Sequence, residues 1–219
     1  MTVLTISREI GSGGEYIGKK TAEILNYHYA DKGTIFRIFK QYGFEPLERI
    51  YDSPTSFWDS FDNLRLRTLE NLNRVIEALA AHGHAVIVGR GGFAVLDGLA
   101  DVLNVRIQAP IEDRLGRFME AEKLTNLNEA LDKLEERDGV RSAFVESTYQ
   151  IPWDAASNFD IVINTGKTTL DVAASWLAEI VMALDKRGEL SGPTAQSLSV
   201  EPSLKKAVCE LFDCRTSGD

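Results

Sequence analysis

The sequence predicts an α/β fold, a parallel β-sheet with helices on both faces. Three observations predict it. Short β-branched, apolar runs read as buried strands. They alternate along the chain with longer segments whose apolar residues recur at helical spacing, the pattern of successive βα units. The first strand runs straight into a glycine-rich turn that opens a helix.

The elements follow in order. Val3 to Ser7 is the first strand. Glu15 to Asn26 is a helix carrying Ile17, Ala22, Ile24 and Leu25. Tyr27 to Ala30 is a short strand closed by Asp31, and Thr34 to Tyr42 a second helix. Residues 43–61 hold Pro46, Pro54 and scattered aromatics, and read as loop. Asp62 to Ala81 is a long amphipathic helix with Leu66, Leu69, Leu72, Val75, Ile76 and Leu79 on one stripe. Ala85 to Val88 and Leu103 to Ile107 are buried strands. Pro110 stands at a first helical position, with Glu112 and Asp113 where the helix dipole favours acid. Asn126 to Tyr149 is charged and helical, Ile161 to Ile163 is a strand, and Thr168 to Leu184 is a helix with a full apolar face. Gly188 to Pro202 reads as a linker and 203–213 as a short terminal helix. The expected division is one domain over 1–187, then a linker and helix over 188–219.

Composition narrows the function classes. A chain of 219 residues buries a core without disulfides or metal. With 44% hydrophobic and 26% charged residues, disorder over most of the chain is excluded. Thirty-three acidic against 24 basic residues give a net charge of −9, which argues against non-specific nucleic-acid binding. Cys209 and Cys214 form no disulfide framework and have no neighbours at zinc spacing. His28, His82 and His84 show no ligand spacing either, so no resident metal site is expected. No apolar run reaches the ~18 residues of a membrane span. Thr2 to Ile6 is too short and strand-like for a signal peptide. The expectation is a cytoplasmic protein without membrane or nucleic-acid partners; the sequence leaves room for a homodimer.

Parallel sheets bind ligands beyond the carboxyl ends of their strands. That directs attention to Arg8–Gly14, Asp31, Gly89–Gly92 and the loop after Ile107. In Ser7-Arg8-Glu9-Ile10-Gly11-Ser12-Gly13-Gly14-Glu15, three glycines in four positions let successive N–H groups face one point. The helix N-terminus adds its positive dipole end, and phosphate is the usual occupant. A pattern search finds another register, Gly13 to Gly18 followed by Lys19, with Lys20 where Ser or Thr belongs. That register places Tyr16 and Ile17 in a tight loop, whereas the apolar spacing wants helix from Glu15. In the preferred register Gly14 stands where a P-loop has lysine, Glu15 where it has Ser or Thr, and Arg8 where it has the first glycine.

Five motifs in order carry a resemblance. Ser7 to Gly14, Asp31-Lys32, Gly89-Arg90-Gly91-Gly92, Asp138-x-x-Arg141 and Phe159-Asp160-Ile161-Val162-Ile163-Asn164-Thr165 together resemble the cytidylate kinase-like family of P-loop kinases, over about residues 3–185. The resemblance implies a three-layer sandwich on a five-stranded parallel sheet, and a helical, mobile lid around 125–150. It implies ATP and Mg²⁺ as cofactors and phosphoryl transfer to a nucleoside monophosphate, CMP or dCMP first. It assigns Gly11, Ser12, Gly13, Gly14 and Glu15 to ATP. To the acceptor it assigns Asp31, Arg37, Gly89, Arg90, Asp138 and Arg141. The sequence also departs from ordinary bacterial cytidylate kinases. Gly91 replaces an Asp, Leu134 beside Lys133 replaces the first lid arginine, and 43–82 shows no cytosine-binding insert.

Phosphoryl transfer holds two anions in line and neutralises their charge, so several cations must converge. This acidic chain offers Arg8, Arg37, Arg90, Arg114, Arg117, Arg137 and Arg141, whose planar forks suit phosphate. The catalytic candidates are Arg8, Arg90, Arg137 and Arg141. Arg90 is set among glycines that let a ligand approach. Arg8 leaves the first strand beside the nest and would replace the charge missing at Gly14; its plainer reading is an ion pair with Glu9 or Glu15. Arg114 and Arg117, three residues apart, would flank the donor phosphates. Two other functions compete with the nucleotide kinase: a kinase of another small metabolite, and a nucleotide-binding regulatory domain with impaired catalysis.

Overall fold

The computed structural model describes residues 1–42, 62–187 and 190–213. The loop expected at 43–61 lies outside the described residues. Among the described residues five strands form one sheet: β1 (Val3–Arg8), β2 (His28–Ala30), β3 (Ala85–Val88), β4 (Val102–Gln108) and β5 (Ile161–Asn164). Their order is β2-β3-β1-β4-β5. Every pair is parallel, and the sequence predicts that parallel pairing. In the register, Leu4 lies opposite Val86 on one side and Leu103 on the other. The chain leaves β1 for β2 and β3 on one side, then crosses to β4 and β5 on the other. The order therefore reverses at β1, and a crevice opens beyond its carboxyl end.

The strands read as unbroken apolar runs because consecutive residues bury on opposite faces. Val3, Ala85 and Ile87 belong to one core, and Leu4, Val86 and Val88 to the other. On the second face lie α1 (Gly14–Leu25), through Ile17 and Ala22, and α7 (Leu170–Asp185), through Ala173, Ala174, Leu177 and Val181. On the first lie α2 (Lys32–Tyr42) and α3 (Asp62–His82), whose Leu72, Val75, Ile76 and Leu79 are fully buried. No described helix is long and apolar enough to cross a membrane.

The short α4 (Gly92–Val95), which the sequence reading does not contain, follows β3. After β4 come α5 (Ile111–Glu122), with Pro110 as its N-cap, and α6 (Leu127–Tyr149). Asn126 caps α6, its side chain accepting from the N–H groups of Asn128 and Glu129. The final helix, α8 (Pro202–Asp213), completes the first core with Leu204, Val208 and Phe212. The Phe212 ring stacks on His28 with centroids 4.1 Å apart. Upstream of α8, the Ala195 N–H donates to Asp101 at 2.7 Å. Residues 190–213 thus pack into the same body as the sheet.

Candidate active site

The crevice beyond β1 holds the glycine loop. Gly11 and Gly13 are left-handed, at φ +73° and +83°, and Gly13 caps α1, which starts at Gly14. Tyr16 and Ile17 are inside the helix, with the Ile17 N–H donating to the Gly13 carbonyl at 3.0 Å. Lys19 is exposed on α1, and Lys20 pairs with Glu23 at 3.3 Å. The first N–H groups of a helix have no intrahelical acceptor, so the turn at Gly13–Glu15 presents donors and a positive dipole end to the crevice.

Arg8 lies across this turn. A Cβ at Gly14 would stand 2.5 Å from Arg8 Cβ and 2.8 Å from its Cγ. A lysine at position 14 therefore cannot coexist with Arg8 on this path. Further along, Arg8 Nη1 occupies the space that a Cβ at Gly89 would need. Its guanidinium thus lies between the glycine turn and the end of β3. Arg8 Nη2 pairs with Glu15 Oε1 at 2.7 Å, and Arg8 Nε is buried with no hydrogen-bond partner among the described residues. A buried donor of that kind calls for an acceptor.

Two more arginines approach from other elements. Arg141, on α6, donates to the Arg8 carbonyl at 3.2 Å and lies 3.8 Å from Glu15. Burial first, then repulsion from Arg8 and Arg90, pulls the Arg141 pKa down to about 9, against the attraction of Asp138 and Glu15. Partial desolvation by its neighbours works against the Glu15 carboxylate, but Arg8 and Arg141 outweigh it and hold its pKa below the ordinary range. Here cations crowd each other around one carboxylate, and an incoming oxyanion would relieve them. Arg90 follows β3 at φ +58°, between Gly89 at +80° and Gly91 at +71°. A left-handed arginine is uncommon, and such strain clusters at functional sites. At Gly91 a Cβ would strike the ring of Tyr149, so the glycine there makes room for α6.

The remaining candidates are placed differently. Ser12 is buried and its hydroxyl donates to the Glu9 carbonyl at 2.8 Å, so it braces the loop. Asp138 accepts from the Ile10 N–H at 2.9 Å and from Arg114, and ties α6 to the glycine loop instead of lining the crevice. Arg137 lines the rim, pairs with Glu122 at 2.8 Å and lies over the Phe118 ring. Asp31 caps α2 by accepting from the Thr34 N–H at 2.9 Å, and Arg37 is exposed with Nη2 at 3.4 Å from Thr34 Oγ1. Neither lines the cavity, whereas Lys32 does.

Sequence reasoning misses Glu9 and Arg106. Arg106 is 2% exposed in β4, stacked 4.6 Å over Trp153 and 3.4 Å from Glu9 Oε1. Glu9 Oε2 accepts from the Ala109 N–H at 3.2 Å and lies 3.6 Å from Arg114 Nη1. The available signal is a lone arginine inside an apolar strand, since a buried charge needs a partner.

Together Arg8, Gly13, Gly14, Arg90, Arg137 and Arg141 line one cavity of about 850 Å³. It combines backbone donors, a helix N-terminus and converging guanidinium groups, a set that can hold more than one oxyanion close together.

Comparison with known proteins gives the family of the chain. The sequence model of the cytidylate kinase-like family matches residues 3–167. Cytidylate kinase of Pyrococcus horikoshii is 31% identical over 185 residues, covering 84% of this chain and 86% of the relative. Cytidylate kinase of Staphylothermus marinus is 28% identical over 184 residues, covering 83% and 97%. Among solved structures, an uncharacterized protein from Eubacterium ventriosum superposes with a TM-score of 0.65 at 22% identity, covering 85% of this chain and 100% of that one. Shikimate kinase from Bacteroides thetaiotaomicron shares the fold with a TM-score of 0.51 at 12% identity, covering 83% and 98%. Because the family match spans most of the chain, including the glycine turn, Arg90 and Asp138–Arg141, the protein belongs to the cytidylate kinase-like family.

Proposed function

We propose that the protein transfers the γ-phosphoryl group of ATP to a nucleoside monophosphate, with CMP and dCMP as first acceptors. The observation that carries this reading is the convergence of Arg8, Arg90 and Arg141 on the glycine turn within one cavity. A site for a single anion has no need of so many cations. In the reaction, the bond from the γ-phosphorus to the β-bridging oxygen breaks. A bond from the acceptor phosphate oxygen forms, giving ADP and a nucleoside diphosphate.

The backbone N–H groups of Gly13, Gly14 and Glu15 hold the donor phosphates. Arg8, between this turn and Gly89, faces the oxygens that gain charge as the bond breaks. Arg90 grips the acceptor phosphate. Arg141 and Arg137 close over the site from α6, and Asp138 keeps α6 registered on the loop. Glu15 is a hard oxygen donor beside the nest with its side chain 65% exposed, so it fits Mg²⁺ carried by the nucleotide. Once bound, Mg²⁺ would neutralise the β- and γ-phosphates. The cytidylate kinase relatives support the acceptor class.

A second reading draws on Gly14 and Glu15: a regulatory domain that binds nucleotide without turning it over. Binding alone is tested by thermal shift. A ligand at about 100 times its Kd stabilises by roughly 2.7 kcal/mol. ATP should stabilise the protein, and CMP or dCMP should do so more than purine monophosphates. Another phosphorylated metabolite in their place would redirect the acceptor; silence with every nucleotide would overturn both readings.

A further inference from the structure

Arg117 lies on α5 at the wall of the cavity, and its guanidinium is engaged by backbone. Nη1 donates to the Gly11 carbonyl at 3.3 Å and to Thr165 Oγ1 at 3.0 Å, and Nη2 donates to the Thr165 carbonyl at 2.9 Å. Thr165, just past β5, is 2% exposed, and its hydroxyl donates to the Ser12 carbonyl at 2.8 Å. Two successive carbonyls of the glycine turn are therefore held by one bracket.

In a trans peptide the carbonyl and the following N–H point opposite ways. Holding the Ser12 carbonyl against Thr165 turns the Gly13 N–H the other way, toward the cavity that Gly13 lines. Holding the Gly11 carbonyl fixes the Gly11–Ser12 peptide, whose N–H closes the turn on the Glu9 carbonyl at 3.3 Å. Glycine tolerates both signs of φ, so without a bracket the Ser12–Gly13 peptide could rotate. Rotation would aim a carbonyl dipole, in place of a donor, at the anion.

We propose that Arg117 and Thr165 are positioning residues that lock the Ser12–Gly13 peptide in its anion-binding orientation. Arg117 acts through the shape of its fork and not as a phosphate ligand. The inference rests on the phosphate-nest reading above.

The test titrates wild type, Arg117→Lys, Arg117→Met and Thr165→Val with inorganic pyrophosphate and, separately, with CMP. Arg117→Lys keeps the charge but loses the fork. It should weaken pyrophosphate binding roughly tenfold, about the worth of one charge-assisted hydrogen bond, and as much as Arg117→Met does. Thr165→Val should act in the same direction. The double variant Arg117→Lys/Thr165→Val should be no worse than the weaker-binding single variant, because both break one bracket. CMP affinity should change less than about twofold, within the range of independent sites. If Arg117→Lys binds like wild type while Arg117→Met does not, Arg117 is a charge contact and the inference is overturned. If the variants only lower the melting temperature and leave pyrophosphate affinity intact, the bracket is structural and the inference is overturned. Should wild type itself bind no pyrophosphate, the phosphate nest falls, and this inference falls with it.

Discussion

In the proposed reaction Arg8 takes the part of the lysine of an ordinary phosphate loop, and Gly14 leaves it room. The stem of Arg8 fills the space that a side chain at 14 would need, and its head reaches Gly89. A cation is therefore available at the nest although the usual position is bare. Arg8→Ala should weaken ATP binding by about 1.5–3 kcal/mol, the range for a hydrogen bond to a charged group. Lys19→Ala and Lys20→Ala, on the outer surface of α1, should leave it within about 0.5 kcal/mol, as surface substitutions do. Equilibrium titration with ATP checks this, and an inactivating Lys19→Ala would restore the Gly13–Lys19 register. The left-handed glycines, Arg90 and Arg141 are legible in the sequence because each sits in a short motif at a strand end or on a helix. Glu9, Arg106 and the Arg117–Thr165 bracket are not. Their partners are 97 and 48 residues away, and no local spacing encodes such contacts.

At the scale of elements, α6 links the cavity to the rest of the fold. Its first turns pack Ala130 and Leu134 on Phe118, and its last turns pack Val145 with Phe93 and Trp153. Between them Asp138 and Arg141 lie over the glycine loop, bonded to the Ile10 N–H and the Arg8 carbonyl. The sequence shows a charged helix with few large apolar residues, which reads as a lid. It does not show the docking, because three buried positions in 23 residues make no continuous stripe. With ATP and CMP both bound, phosphates drawn to Arg137 and Arg141 should tighten this helix. Hydrogen exchange over residues 135–145 should slow relative to the free protein and to either ligand alone. Unchanged exchange would show that α6 does not respond to the ligands.

For the whole molecule, the sheet order places β1 at the reversal, and two apolar faces fix its strands. The alternating strand and helix segments make that architecture readable. The place of α8 is less readable, because Leu204, Val208 and Phe212 declare an apolar stripe without naming its partner. The structure sets that stripe on α2 and α3, with Phe212 against His28. Phe212→Ala should cost about 3–5 kcal/mol of unfolding free energy in a denaturant titration, as expected for a buried aromatic. A loss below about 1 kcal/mol, the range of surface substitutions, would mean α8 is not part of the core. The central claim concerns the whole assembly: glycine turn, arginines and α6 acting together on two nucleotides. Phosphorus NMR of the protein with Mg²⁺-ATP and CMP tests it most directly, because donor and acceptor are followed in one sample. The account predicts ADP and CDP appearing in equal amounts, with dCMP giving dCDP in the same way. ATP and CMP both persisting unchanged, or ADP appearing with free phosphate and no diphosphate product, would contradict it.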